Sequence, residues 1–377
     1  MKCYICRKKI TENTAHPNQA RMCHSCGKHN IEKRDELGSL KGYNAVVTGG
    51  RIKIGYETAL KLLRSGAYVV VTTRFPVDAV VRYSNETDFK NWKNRLKIYK
   101  IDFRLTPYLY KFIEYLNQEI SHLDILVNNA AQTIKRPYQY YRDLVEKELE
   151  LFSTLPVEIK QLICNNDELD FKKVQQTIDA SLPIGQYTLK QDLTETTATY
   201  FPTGMLDEEG LQLDKRPKNS WISKAEDVSM VEMLEVQLIN VTAPFLLSSS
   251  LKGLLKKSPH KYKFVLNVSA MEGKFNKKNK NCFHPHTNMA KASLNMFTRT
   301  SAQDYIKSGI VMNSIDTGWV TDENPHYLKQ KNAKKGLTPP LTAKDGAARV
   351  CDPIFSMART ENVVFGKFLK DFQIVSW

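Results

Sequence analysis

The sequence predicts an α/β protein: a doubly wound parallel sheet with a small cysteine-rich unit in front and a large insertion within. Three observations predict it. Apolar, β-branched strand segments alternate with stretches whose apolar residues recur at helical spacing, the pattern of successive βαβ units. A Gly-rich turn, Thr48-Gly49-Gly50-Arg51-Ile52-Lys53-Ile54-Gly55, joins the first strand to the first helix. Two Cys-x-x-Cys pairs stand ahead of that turn.

Composition bounds the rest. At 377 residues the chain can bury a full core and exceeds what one such domain requires. The start, Met1-Lys2-Cys3-Tyr4, carries no apolar signal core, and no uninterrupted apolar run approaches membrane-spanning length. A soluble cytoplasmic protein without membrane association is expected, which argues against disulfides among its seven cysteines. The net charge of +15 is uneven: residues 146–214 hold fourteen Asp/Glu against five Lys/Arg, net −9, leaving +24 elsewhere. A basic body with one acidic segment points to an anionic ligand. Nucleic acid is the rival partner. It is disfavoured because the chain lacks the interleaved aromatic and basic residues of single-strand platforms.

Residues 1–36 read as a separate unit. Cys3-x2-Cys6 is followed after sixteen residues by Cys23-x2-Cys26. Four thiolates at this spacing suit a tetrahedral zinc site, whose metal supplies stability that so short a segment cannot draw from a core. Free thiols or a redox dithiol are the alternatives. With four cysteines filling the shell, His24 and His29 are bystanders. The charged run Glu32-Lys33-Arg34-Asp35-Glu36 reads as a linker.

The strand Tyr43 to Val47, the Gly-rich turn and the helix Tyr56 to Leu63 then form the first βα unit. Such a turn brings backbone N–H groups close to an anion, and the helix N-terminus adds partial positive charge, so this is a phosphate site. Ala67 to Thr73 is the second strand and ends in Thr72-Thr73-Arg74, with no acid. Leu96 to Ile101 is the third and ends in Asp102-Phe103. A helix from Pro107 to Ile120 leads to the buried run Leu123-Asp124-Ile125-Leu126-Val127-Asn128-Asn129-Ala130.

Taken together, the turn, the Asp-hydrophobe pair and the Asn-Asn-Ala element resemble the short-chain dehydrogenase/reductase family. Its glycine pattern is Thr-Gly-x-x-x-Gly-x-Gly, and Lys53 stands where the middle glycine belongs. The resemblance covers residues 41–129 and 226–370. It implies a Rossmann-type sheet, a bound nicotinamide dinucleotide and an oxidoreductase acting on a small-molecule carbonyl or alcohol. Cofactor contacts fall on Gly49, Arg51, Lys53, Ile54, Gly55, Asp102, Phe103, Asn129 and Ala130. Arg74 occupies the place where a basic residue accepts a 2′-phosphate, so with Arg51 and Lys53 it leans the expectation to NADP over NAD.

Residues 133–222 interrupt the family pattern. This insertion opens with Arg136-Pro137-Tyr138-Gln139-Tyr140-Tyr141 at a strand's carboxyl end, where open α/β sheets bind ligands. A lid over the substrate side and a partner-binding elaboration are both open. Beyond it, a helix from Val228 carries Asn240 on its apolar side, similar to the asparagine that holds a proton-relay water in the family. The strand Tyr262 to Val268 leads to Ser269-Ala270, where the family's catalytic serine aligns with Ala270 and Ser269 lies one place early. The next helix keeps Lys291 of the family's Tyr-x-x-x-Lys, but Thr287 stands at the tyrosine. A threonine hydroxyl is far too weak an acid to replace a phenol, so another donor is needed. His286 or His284 is suited to neutral pH, and Tyr138, Tyr140 or Tyr141 could swing in from the insertion. After the strand Ile310 to Ile315, Asp316-Thr317-Gly318-Trp319-Val320 resembles the segment that clasps the nicotinamide, adding Gly318, Val320 and Lys291 to the cofactor contacts. A helix from Ala343 to Phe355 and a strand from Val363 to Leu369 end the sheet. The alternative to an enzyme is a non-catalytic dinucleotide-binding sensor or scaffold. The substrate is not legible, and self-association into a homo-oligomer stays open.

Overall fold

A computed structural model describes residues 1–165, 199–207, 209–277, 279–360 and 362–377. A two-residue strand β1 (Ala15–His16) pairs with β2 (Gln19–Cys23) near the N-terminus. The main sheet has nine strands: β3 (Asn44–Thr48), β4 (Tyr68–Thr73), β5 (Leu96–Lys100), β6 (Ile125–Asn128), β7 (Ile163–Cys164), β8 (Lys263–Ser269), β9 (Ile310–Asp316), β10 (Phe368–Lys370) and β11 (Gln373–Val375). Their order is β11-β10-β9-β8-β6-β3-β4-β5-β7, parallel throughout except for β11. The order reverses at β3: the chain first builds outward to β5, then returns to place β6 on the other side. That switch point opens a crevice beyond the strand ends.

The central strands β3, β4, β6, β8 and β9 are buried on both faces, and successive residues serve opposite cores. Val47 and Val71 belong to one apolar cluster, with Leu60 and Leu63 of the helix Lys53–Arg64 and Ile354 and Phe355 of the helix Ala343–Thr360. Val46 and Val70 belong to the other, with Phe112 and Leu116 of Thr106–Glu119 and Leu247 of Ala243–Ser250. Runs such as Val69-Val70-Val71 are continuous for this reason: a covered parallel sheet has no wet face to alternate with.

Three expectations change. The run Glu32 to Glu36 is not a linker, because it ends the helix His24–Asp35, which packs on Ala343–Thr360. Buried Asn30 donates to Asp345 (2.8 Å) and accepts from Arg349 (3.0 Å), and Lys33 pairs with Asp352. Charges that looked solvated by composition are satisfied across this contact. The insertion is not only a cover, because its β7 extends the sheet beyond β5 and its helix Tyr138–Thr154 packs on Pro76–Ser84. Residues 166–198 of it lie outside the described residues. Finally, the helical run Met230–Ser250, 21 residues, is long and apolar enough to cross a membrane by length and composition, the one such run among the described residues. Here Glu235 on it is 2 % exposed and bonds inward to Gln132 and Arg104.

Candidate functional site

A cavity of about 620 Å³ lies at the carboxyl ends of β3, β4, β5, β6, β8 and β9. The Gly-rich turn forms its floor. Lys53 holds φ +56°, the left-handed conformation that glycine adopts without cost, so the turn keeps its shape despite the substitution. Gly55 is irreplaceable in place: a Cβ there would lie 2.2 Å from the Gly49 carbonyl oxygen and 2.4 Å from Asn129 Nδ2. Asn129 secures the turn, donating to the carbonyls of Thr48 (2.9 Å) and Gly49 (3.2 Å), while Thr48 Oγ1 accepts from the backbone of Asn129 and Ala130.

At the β4 end, Arg74 stacks between Phe75 and Tyr141, with its guanidinium carbon 5.4 Å and 4.6 Å from the ring centroids, and it donates to Tyr141 Oη at 2.9 Å. Burial alone would raise the Tyr141 phenol, yet Arg74 and Arg136 bring it below its ordinary value. The local potential is therefore positive. Arg51 pairs with Asp78 (2.7 Å), and Lys53 with Glu209 (3.0 Å), so both cations come to the cavity already partnered. Asp102 is 4 % exposed and is gripped by Arg104, whose own guanidinium also reaches Glu235 (3.3 Å). Burial opposes ionisation of Asp102, but Arg104 wins and takes it to about 2.

At the β8 and β9 end, the helix Pro285–Tyr305 contributes Thr287, Asn288 and Lys291 to the wall. Lys291 Nζ donates to the Val268 carbonyl at 2.8 Å, and burial brings its pKa down to about 8 against the opposing pull of Glu272. Thr287 donates its hydroxyl to the His284 carbonyl at 2.8 Å. His284 lines the cavity, stacks on Trp221 with centroids 4.0 Å apart, and places Nδ1 3.0 Å from Asn288 Oδ1. That amide oxygen accepts, so Nδ1 carries the hydrogen and the neutral ring keeps its lone pair on Nε2. Burial lowers the His284 pKa below its ordinary 6.5.

All the expected cofactor residues line this one cavity, as do Asn240, Ser269, Thr287 and Lys291. Three of the catalytic candidates meet other partners in the structure. His286 does not line it: one residue round the helix from Thr287, it faces Met230–Gln237 and sets Nε2 3.1 Å from Glu232. Ser269 spends its hydroxyl on buried Asn295 (2.6 Å). Tyr140 and Tyr141 are held at the β4 end by Arg136 and Arg74, away from Lys291. The insertion reaches the β8 end through Trp221 instead. Asn240 sits in a π-helical turn, Leu238–Thr242, where it accepts from Gln132 N (2.7 Å) and donates to Gln132 O (3.1 Å). Sequence reasoning missed Trp221, Lys370 and Tyr4, which also line the cavity. Only the position of Tyr4 between two cysteines gave any signal.

The four cysteines converge. The Sγ atoms of Cys3, Cys6, Cys23 and Cys26 lie within 4.8 Å of one another. Cys23 N–H donates to Cys3 Sγ at 3.3 Å, and burial of Cys3 is outweighed by backbone donors from Cys23, Cys6 and Ile5, which lower its thiol to about 6. Four soft sulfur donors converging at this separation fit a tetrahedral zinc ion. A second cluster, His122, Asp124 and His260, stands at the opposite sheet end, where Asp124 already accepts from the Asn44 amide (2.6 Å).

Comparison with known proteins agrees with this geometry. The short chain dehydrogenase family model matches residues 43–151, and that of the enoyl-(acyl carrier protein) reductases matches residues 217–338. An uncharacterized protein of Acanthamoeba polyphaga mimivirus is 30% identical over 367 residues, covering 94% of this chain and 71% of its own length. The (+)-neomenthol dehydrogenase of Capsicum annuum is 28% identical over 116 residues, 29% of this chain and 36% of the enzyme. In fold, a short chain dehydrogenase of Burkholderia cenocepacia in complex with NADP matches at TM-score 0.55 and 16% identity, over 88% of this chain and 97% of that one. The NADPH-bound carbonyl reductase from chicken fatty liver matches at 0.52 and 16%, over 90% and 100%. The fold and cavity define a Rossmann-type dinucleotide-binding protein. Within that class, the chain belongs to the short-chain dehydrogenase/reductase family.

Proposed function

We propose that this protein interconverts a small-molecule carbonyl and an alcohol with NADP(H), and that His284 handles the proton. The observation that carries this is the placement of His284 on the cavity wall, three residues ahead of Thr287, with its tautomer fixed by Asn288. Bound NADP(H) would supply or accept the hydride. In reduction His284 Nε2 would give its proton to the developing alkoxide oxygen of the substrate. With its pKa below 6.5, the imidazole is mostly neutral at pH 7 and suited to accept a proton from an alcohol. Reduction should then accelerate as the pH falls. Lys291 would meet the nicotinamide ribose, and Asn240 holds the loop after β6 that borders the same space.

The preference for NADP rests on Arg74, which stands at the β4 end and stacks on Tyr141 in a positive field. A zinc ion held by Cys3, Cys6, Cys23 and Cys26 would be structural, since four thiolates leave no position open for chemistry. A second reading, a nicotinamide-binding protein without turnover, draws on Thr287, whose hydroxyl is already committed to a backbone carbonyl. Single-turnover NADPH oxidation with a carbonyl panel separates the two. Turnover lost at least about a hundredfold in Lys291→Ala and His284→Ala supports the enzyme. Tight NADPH binding with no carbonyl or alcohol turned over replaces it with the second reading.

A further inference from the structure

The cysteine unit is not a bystander to the cavity. Between its first two cysteines, Tyr4 reaches the β9 end and lines the same space as Lys291 and Gly318. Its hydroxyl oxygen accepts from the Trp319 backbone N–H at 2.8 Å, inside the segment that follows β9. Gly318 leaves room for this: a Cβ there would stand 3.1 Å from Tyr4 Oη. Lys370 lies over the Tyr4 ring, 5.7 Å from its centroid, and is itself tied to Asp316 at 2.9 Å. Among the described residues, the Tyr4 proton has no acceptor, so it is available to an oxygen atom of a ligand in the cavity.

Further contacts of the unit lead to the same segment and to residues 338–341. Cys3, Ile10 and Met22 form a small apolar cluster with Leu341, and Val320 packs against it. Arg21 donates to the Thr338 carbonyl at 2.8 Å and lies over the Trp319 ring. The position of Tyr4 is fixed by its own N–H, which donates to the Arg21 carbonyl at 2.8 Å, and by the turn in which Cys3 N–H donates to Lys8 O. That turn is the cysteine knuckle. The knuckle itself draws only three buried apolar side chains from the unit, which leaves a metal to hold its turns.

We infer that metal binding at the four cysteines builds one wall of the cofactor site. The knuckle holds Tyr4 against the Trp319 amide, and this contact fixes the segment 317–321 over the nicotinamide end. The inference rests on the nicotinamide and zinc readings above. Tyr4 is a positioning residue in it: metal occupancy and cofactor affinity become linked, each favouring the other.

The test uses the full chain, zinc-loaded or stripped with a chelator, and the Tyr4→Phe and Tyr4→Ala variants. Zinc content, melting temperature, NADPH affinity by fluorescence and hydrogen exchange at the Trp319 amide are measured on each. Stripping should weaken NADPH binding at least about tenfold and speed exchange at Trp319. Tyr4→Phe keeps the ring and the zinc, so about three- to tenfold weaker NADPH binding at unchanged zinc content and melting temperature isolates the hydroxyl. Tyr4→Ala should weaken it further. If stripping unfolds the chain, Tyr4→Phe decides alone. Wild-type NADPH affinity and slow Trp319 exchange in Tyr4→Phe would overturn the inference, as would their persistence in folded, stripped protein. Should zinc-loaded wild type bind no NADPH, the cofactor reading fails, and Trp319 exchange still decides whether the knuckle governs the segment.

Discussion

The two ends of the cavity differ in what builds them. At the Gly-rich turn the working groups are backbone N–H donors and the first turn of a helix, so a side chain can change while the site persists. Lys53 proves the point: it replaces a glycine yet adopts φ +56°. At the β8 and β9 end the working groups are side chains. There the replacement of tyrosine by Thr287 removes the family's proton donor, and nothing in the backbone restores it. A backbone site tolerates substitution wherever conformation and space allow, whereas a side-chain site must be rebuilt from other residues. Here the candidate for the proton is His284, while Tyr4, through the cysteine unit, positions the segment after β9.

Gly55→Ala should break the backbone end. The added Cβ has no room beside the Gly49 carbonyl and Asn129, so the turn must open. NADPH affinity should fall more than about a hundredfold and stability by about 3 kcal/mol, measured by calorimetry and urea unfolding. Retained affinity would mean that the turn is not the phosphate site.

The side-chain end is sharpened by Lys291. Its folded pKa, about 8, lies below the unfolded value near about 10.4 because burial disfavours the ammonium. Between these values the unfolded chain holds the proton and the native chain does not, so stability rises with pH through that window. Relative to Lys291→Met, the cofactor-free wild type should gain about 2 kcal/mol between pH 8 and 10.4. Urea unfolding of both proteins across that range measures the difference. A flat difference would show that Lys291 is not held in a desolvated site.

The smallest effect comes from Lys53→Gly. Relief of the left-handed backbone should stabilise the chain by about 1 kcal/mol in thermal or urea unfolding. Loss of the pairing with Glu209 costs little, since both partners are partly exposed. Destabilisation instead would mean that the ammonium, not the backbone, holds the turn.

Local pattern carried most of the scaffold. Val46-Val47 and Val69-Val70-Val71 are continuous because both sheet faces are covered, and the spacing from Gly49 to Asn129 marks strand, turn and switch point directly. The short strands β7 and β11 escaped, since two or three residues hold no period and pair only because a neighbouring edge is exposed. The insertion's role was illegible for a similar reason: Tyr141 and Trp221 are ordinary aromatics until Arg74 and His284 stand beside them.

The sequence by itself therefore determined the α/β class, the Gly-rich turn, the convergence of four cysteines and the absence of the family's tyrosine. Each is a matter of residue type at a fixed spacing along the chain. Tertiary structure alone decided which histidine meets the cavity. His284 and His286 are two residues apart, but His284 caps the helix and meets Trp221, whereas His286 in the first turn meets Glu232. It alone decided, too, that Tyr4 and Trp319 touch across 315 residues of chain. Contacts of that separation come from how whole elements pack, and no local pattern encodes them.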